Sequence, residues 1–130
     1  MADDQLQVEL VAADRTVWSG QATMVIARTT EGDVGVLRNH APLLSLLVPG
    51  VVEISAVGGD TLVAAVDGGF ISVANNRVSI LSEHTALSHE IDASQARADL
   101  EAAEADSDDE DAADRVRRAE ARVRAVERAS

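Results

Sequence analysis

LSHEIDASQARADL, residues 87–100, is where this chain changes its grammar. Before Ile91 lie short alternating apolar runs punctuated by Gly, Pro and Asn. After it lie Ala, Asp, Glu and Arg, with no Gly, no Pro and almost no β-branched residue until Val116. The first pattern has the period of two that a half-buried strand requires; the second has the composition of a helix. The chain therefore divides into a β-rich body, residues 1–88, and a helical tail, residues 89–130.

Downstream of the break, Asp92 with Gln95 three residues later predicts a capping box, and Ser107 with Glu110 predicts a second. These starts imply helices over about 93–106 and 109–128. Ala93, Ala96, Leu100 and Ala103 form one stripe. Ala112, Val116, Ala119, Val123 and Val126 form another, with the 3.5-residue period that pairs helices. An antiparallel αα-hairpin is expected, but a weak one. Leu100, three Val and several Ala contribute only a few kcal/mol at roughly 25 cal/mol per Å², against roughly 1–2 kcal/mol of ordering per residue. Acid clusters at the joint (Asp106, Asp108, Asp109, Glu110, Asp111), and six Arg lie on the second helix. Such charges suit the helix dipole and solubility; equally, they suit a tail that detaches and docks elsewhere. Both readings stand at this point.

Upstream, Leu6, Val8 and Leu10 alternate with Gln7 and Glu9 as in a strand. Thr16–Trp18 and Thr23–Arg28 read as two strands around a Ser19-Gly20 turn. Asp33–Leu37 is a short strand, and Arg38–Pro42 is a loop because Pro42 cannot extend a ladder. Leu43–Val48 is a buried run ended by a Pro49-Gly50 turn. Gly58-Gly59-Asp60 and Asn75-Asn76 mark hairpins, since these residues tolerate positive φ. Gly68-Gly69 reads as another tight turn. About ten short strands predict an antiparallel sandwich followed by the αα-hairpin.

Composition removes several function classes. Trp18 and Phe70 are the only aromatics, so stacking platforms for bases are missing. A net charge of −12 opposes a phosphate backbone or anionic headgroups. No nucleic-acid partner and no direct membrane insertion are expected. Without Cys there is neither a disulfide nor a thiolate metal site. His89-Glu90 opens an HExxH pattern, but position 93 is Ala. His40, His84 and His89 lack ligand spacing, and no GxSxG elbow or phosphate loop occurs. No catalytic residue, metal site or autonomous enzyme activity is expected. The opening MADDQLQVEL has no basic or apolar signal region, so a soluble, cytoplasmic chain is expected.

The segment Glu31–Leu44 looks specialised, carrying Asp33, Arg38, Asn39 and His40 ahead of APLL. Together with VWSG (17–20), GDVGVL (32–37), HAPLL (40–44), PGVV (49–52), AVDGGF (65–70), VSIL (78–81) and EID (90–92), it resembles the epsilon subunit of the F-type rotary ATP synthase. The match is strong to residue 92 and architectural beyond it. RTT at 28–30, the absence of Lys and the short tail resemble the actinobacterial branch.

That resemblance implies a flattened ten-stranded sandwich with a two-helix regulatory tail, in a non-catalytic central-stalk (rotor) subunit. It implies contacts with a gamma subunit and the c-ring, and with the alpha/beta catalytic head through the tail. The site would be the cytoplasmic face of the cell membrane, peripheral through protein partners. Asp33, with Arg38, Asn39 and His40 in the same zone, would meet the ring, although the common Pro-Gly before His is missing. The tail would fold down on the sandwich or extend and restrain ATP hydrolysis. Some members bind ATP there through IDxxRA and a Glu five positions before the Ile. Here Gln95 replaces the Arg and Ala86 the Glu. Asp92, Arg97, Arg118 and Arg122 remain as a reduced set, so no cofactor is expected, or weak ATP binding at most. The alternative reading is a free-standing β-sandwich binding module whose 3.5-period stripe forms a coiled-coil dimer.

Overall fold

The structure is a computed structural model that describes residues 5–105 and 111–129. Seven strands are followed by two helices: β1 Leu6–Val11, β2 Thr16–Thr29, β3 Gly32–Leu37, β4 Leu43–Ala56, β5 Thr61–Ala74, β6 Arg77–Leu81, β7 Thr85–Leu87, α1 Ala93–Ala105 and α2 Ala112–Ala129. A 3₁₀ turn, Ser88–Glu90, joins body to tail.

Three strands are long, and the turns expected inside them do not exist. Ser19-Gly20 lies within β2, Pro49-Gly50 within β4 and Gly68-Gly69 within β5. Inward-facing residues change parity along β4, from Leu47 to Gly50, Val52 and Ile54, and along β5, from Val66 to Ile71 and Val73. Pro49 pairs with Asp67 across the ladder, and Leu47 with Gly69, so the two strands change parity at one level with their mutual register unbroken and pass together into the other layer. Gly and Pro served here as strand benders. Gly69 has φ +101°, and a Cβ on it would sit 1.9 Å from the carbonyl oxygen of Leu81. Gly20 is required for another reason: its missing Cβ would lie 2.9 Å from Cζ2 of Trp18, whose ring covers it.

Each long strand gives one half to each layer, so seven strands supply about ten segments. The first layer runs from the start of β2 through β1, β6 and the end of β5 to the start of β4, with β1 and β6 parallel. The second runs from β3 through the end of β2 and of β4 to the start of β5 and β7. Between them Leu6, Val8, Leu10, Val25, Val36, Val52, Ile54, Ile71, Val73 and Ile80 form an aliphatic core with almost no solvent contact. The Asn75-Asn76 turn has φ of 51° and 62°, and Gly58-Gly59 φ of 106° and 103°. Positive φ at both central residues lets such turns follow the strand twist.

At the start of α1 the Gln95 N–H donates to Oδ1 of Asp92 at 2.9 Å, an N-cap. The reciprocal half of the expected box is absent, because the Gln95 amide donates to Asp99 at 2.8 Å instead. The Ser107–Glu110 box and Asp106, Asp108 and Asp109 lie outside the described residues. On α1 the expected stripe is the buried one: Ala96 is buried and Ala93, Leu100 and Ala103 are half-buried. On α2 the expected stripe is joined by a second, since Ala121 and Ala125 are also buried. The helix thus packs on two sides, against α1 and against the sandwich. Among the described residues no helix is long and apolar enough to cross a membrane.

Candidate functional site

The two outer faces of the sandwich differ in what covers them. The outer face of the second layer is covered by α2. There Ala121 and Ala125 enter a cluster with Val63, Ala65 and Ile91, flanked by Val51, Ala86, Val123 and Val126. Small side chains let the helix approach closely, which explains why alanine is the contact residue. Ion pairs bracket the alanines. Arg118 meets Asp67 of β5, and one Nη of Arg128 lies 3.4 Å from both carboxylate oxygens of Glu53 on β4. Positions 118, 121, 125 and 128 follow a 3-4-3 spacing, so all four share one helical face. The Asp67 and Glu53 side chains are only 16% and 20% exposed, so their partners matter more than those of an open surface pair.

The joint is pinned separately. One Nη of Arg15, in the β1–β2 loop, donates to both oxygens of Glu90 at 2.9 Å. Oε1 of Glu90 also accepts the N–H of Leu87 at 2.9 Å. That backbone hydrogen bond, then the Arg15 guanidinium, hold the Glu90 carboxyl below the usual carboxylate range. Ile91, one residue on, is buried against the sandwich. Nothing in the sequence pattern marked Arg15, which joins Glu90 across 75 positions.

The outer face of the first layer is covered by no helix of the described chain, and beyond the polar Gln7, Glu9, Arg77 and Ser79 its β4–β5–β6 end is apolar. Leu46 faces Phe70, and Phe70 faces Leu81, in adjacent ladders. With Leu44 two residues along β4, these side chains are 62%, 39%, 42% and 74% exposed, in the order Leu46, Phe70, Leu81, Leu44. A contiguous apolar patch on a protein this acidic marks a contact surface. Sequence reading missed it because β4 looked like a core strand. The parity shift at Pro49 is what turns Leu44 and Leu46 outward.

Of the four residues expected at one contact zone, Asp33 stands at the start of β3, and Arg38, Asn39 and His40 follow its end. The strand lies between them. The Nε of Arg28 donates to Asp33 at 3.0 Å. Asn39, at φ 65°, donates its N–H to Oδ1 of Asn76, tying the loop to the β5–β6 turn. Nδ1 of His40 is 2.6 Å from the carbonyl of Ala41.

The reduced nucleotide set is likewise divided. Arg118 and Arg122 line a groove of about 760 Å³ between α2 and the sandwich. Asp92 caps α1, and Arg97 is exposed on α1; neither lines that groove. Arg15, Arg118 and Arg122 face Asp14, Asp67, Glu83 and Glu90 there. Carboxylates outnumber guanidiniums.

A bent aliphatic sandwich with one bare apolar face, carrying a two-helix arm clasped to the other, defines the class: a β-sandwich interaction subunit with a docked C-terminal arm. Residues 5–88 match the family model of the ATP synthase delta/epsilon chain β-sandwich domain. The chain is 55% identical over 122 residues to an ATP synthase epsilon chain of Streptomyces avermitilis, covering 94% of this chain and 95% of that one. It is 50% identical over 127 residues to that of Corynebacterium efficiens, covering 97% and 96%. A chain in the Euglena gracilis mitochondrial ATP synthase (OSCP/F1/c-ring) superposes with a TM-score of 0.79 at 28% identity, covering 97% of this chain and 81% of that one. A chain of the Tetrahymena thermophila central stalk/c-ring assembly shares the fold, with a TM-score of 0.55 and 22% identity over 72% and 71%. The chain belongs to the ATP synthase epsilon chain family.

Proposed function

We propose that the chain is a non-catalytic central-stalk subunit of a membrane-associated rotary ATP synthase, held at the cytoplasmic face of the membrane by protein partners. The observation that carries this reading is the division of the sandwich into one clasped face and one bare apolar face. Torque transmission requires rigid complementary surfaces and no nucleophile. The Leu44–Leu46–Phe70–Leu81 patch is the surface offered to the gamma subunit. Asp33 and the Arg38–His40 loop, at the two ends of β3, are offered to the c-ring as separate contacts. Support comes from family membership and from the F1/c-ring assembly that contains the Euglena relative.

The arm is proposed to restrain ATP hydrolysis when it leaves the sandwich and reaches the catalytic head. Its sandwich-bound state rests on internal ion pairs and alanine packing, and the carboxylate-rich groove beside Arg118 gives an added polyphosphate little to gain. The expected behaviour is therefore clasping without nucleotide. The test is deletion of residues 91–130 in the assembled enzyme. Increased ATP hydrolysis with intact assembly is expected; unchanged hydrolysis removes the inhibitory role. Co-purification with gamma, lost in Leu46→Glu, tests the bare face. The coiled-coil dimer reading gains no support, because the α2 stripe it needs is turned to the rest of the chain, with Ala119 buried and Val116, Val123 and Val126 half-buried.

A further inference from the structure

Arg28 stands between two acids on the outer face of the second layer. Across β2–β3 it is directly opposite Asp33, and its Nε donates to Oδ1 at 3.0 Å. Across β2–β4, Glu53 is opposite Ile26, two residues before Arg28 and just ahead of a register shift in that ladder. Arg28, Asp33, Glu53 and Arg128 line one small cleft of about 60 Å³. Arg124 also lines it, with Glu120 of its own helix 3.8 Å away.

In the docked state Arg128 of α2 occupies Glu53. The acid of β4 is then satisfied by the arm, and Arg28 is left to Asp33. If α2 lifts away, Arg124 and Arg128 leave together. Glu53, four-fifths shielded in the docked state, loses its cation, and Arg28 becomes the nearest guanidinium. We propose that Arg28 is a shared counter-ion: arm docking assigns it to Asp33, and arm release draws it toward Glu53, leaving Asp33 unpaired beside the β2–β3 turn. The position of the arm is thereby converted into the charge shown at the start of β3, with no movement of the backbone. Its consequence for a c-ring contact rests on the reading of Asp33 given above; the switch itself does not.

The full-length chain tests the switch without any partner, through the Nε–Hε resonance of Arg28 in ¹⁵N NMR spectra. Asp33→Asn identifies the signal of the paired state. In Arg124→Gln combined with Arg128→Gln, hydrogen exchange at Arg28 Nε is expected to rise by up to roughly fivefold, the scale of one exposed ion pair. When Glu53→Gln is added to that pair the competitor is gone, and the signal is expected to return to its wild-type position and rate. An Arg28 signal unmoved in the Arg124→Gln, Arg128→Gln variant overturns the proposal, as does a triple variant that fails to restore it. Amide exchange at Ala121 and Ala125, followed in the same samples, reports whether α2 stays docked. Failure of the ring-contact reading would show instead as normal coupling in an assembled Asp33→Asn enzyme with the spectral switch intact.

Discussion

Arg118 of α2 is ion-paired with Asp67, the acid of the AVDGGF segment in β5. The most recognisable stretch of the body is thus also an anchor of the arm. The N–H of Asp67 donates to Oγ of buried Ser82 at 3.0 Å, so the backbone that presents this carboxylate is held in place. A sandwich strand and a helix otherwise joined by alanines gain a fixed registry point from this contact.

Reversal of that charge should release the helix. Arg118→Glu leaves the mostly buried Asp67 without a cation and adds a like charge, a loss of roughly 1–3 kcal/mol in docking free energy. Amide protection along residues 119–126 should fall, while protection in β1 and β6 stays unchanged. A variant that keeps α2 protected would show that alanine packing and the Arg128–Glu53 pair hold it without Arg118.

The alanine stripe makes a steric prediction. Ala125 has no exposed surface and Ala121 almost none. Ala125→Leu has no room between α2 and the sheet, and should weaken docking by about 1–3 kcal/mol. Ala113→Leu, at an exposed position on the same helix, is the control and should leave protection unaltered.

Gly69→Ala should damage the sandwich itself. Strain at positive φ costs about 1–3 kcal/mol, and the clash with Leu81 adds an overpacking cost of about 1–3 kcal/mol. Denaturant unfolding should show this loss. Gly58→Ala, which meets open space at similar φ, should show only the conformational part.

The joint should respond to acid. Glu90 titrates below its unfolded value because the Leu87 N–H and then Arg15 favour the carboxylate. Its contribution is therefore complete above that unfolded value and is lost as pH falls through the lower folded one. Amide protection at Leu87 and Ile91 should decline over that acidic window. Glu90→Gln should remove this pH dependence, and a retained decline would assign it to another group.

The bare face should tolerate change in isolation. Phe70→Ser and Leu46→Glu replace exposed side chains, so stability should move by no more than about 0.5 kcal/mol. Binding to gamma, measured with purified proteins, should be lost. Equal affinity would exclude this face as the gamma contact.

Much of this was legible from particular residues. The alternation of Leu6, Val8 and Leu10, the hairpins at Gly58–Asp60 and Asn75-Asn76, and the stripe Ala93–Ala96–Leu100–Ala103 all stand where local pattern put them. Pro49-Gly50 and Gly68-Gly69 misled because the residues that end strands are also those that bend them. Whether such a pair turns or bends depends on the neighbouring strand, here through the unbroken pairing of Pro49 with Asp67 that carries both strands through the bend together. Arg15–Glu90 was invisible because a contact between residues far apart in sequence has no local signature.

By itself the sequence determined a β body with an aliphatic core, a helical arm beginning just after Ile91, and membership of a family through HAPLL and AVDGGF. The body and the arm follow from period, turn chemistry and composition, which act over a few residues; the family rests on the motifs alone. Only the tertiary structure decided that Leu44 and Leu46 point outward, that Ala121 and Ala125 are the docking face, and that Asp33 and His40 stand at opposite ends of β3. The reason is physical. An alanine or a leucine has no preferred side of its own, and the surface that arrives from elsewhere in the chain assigns one.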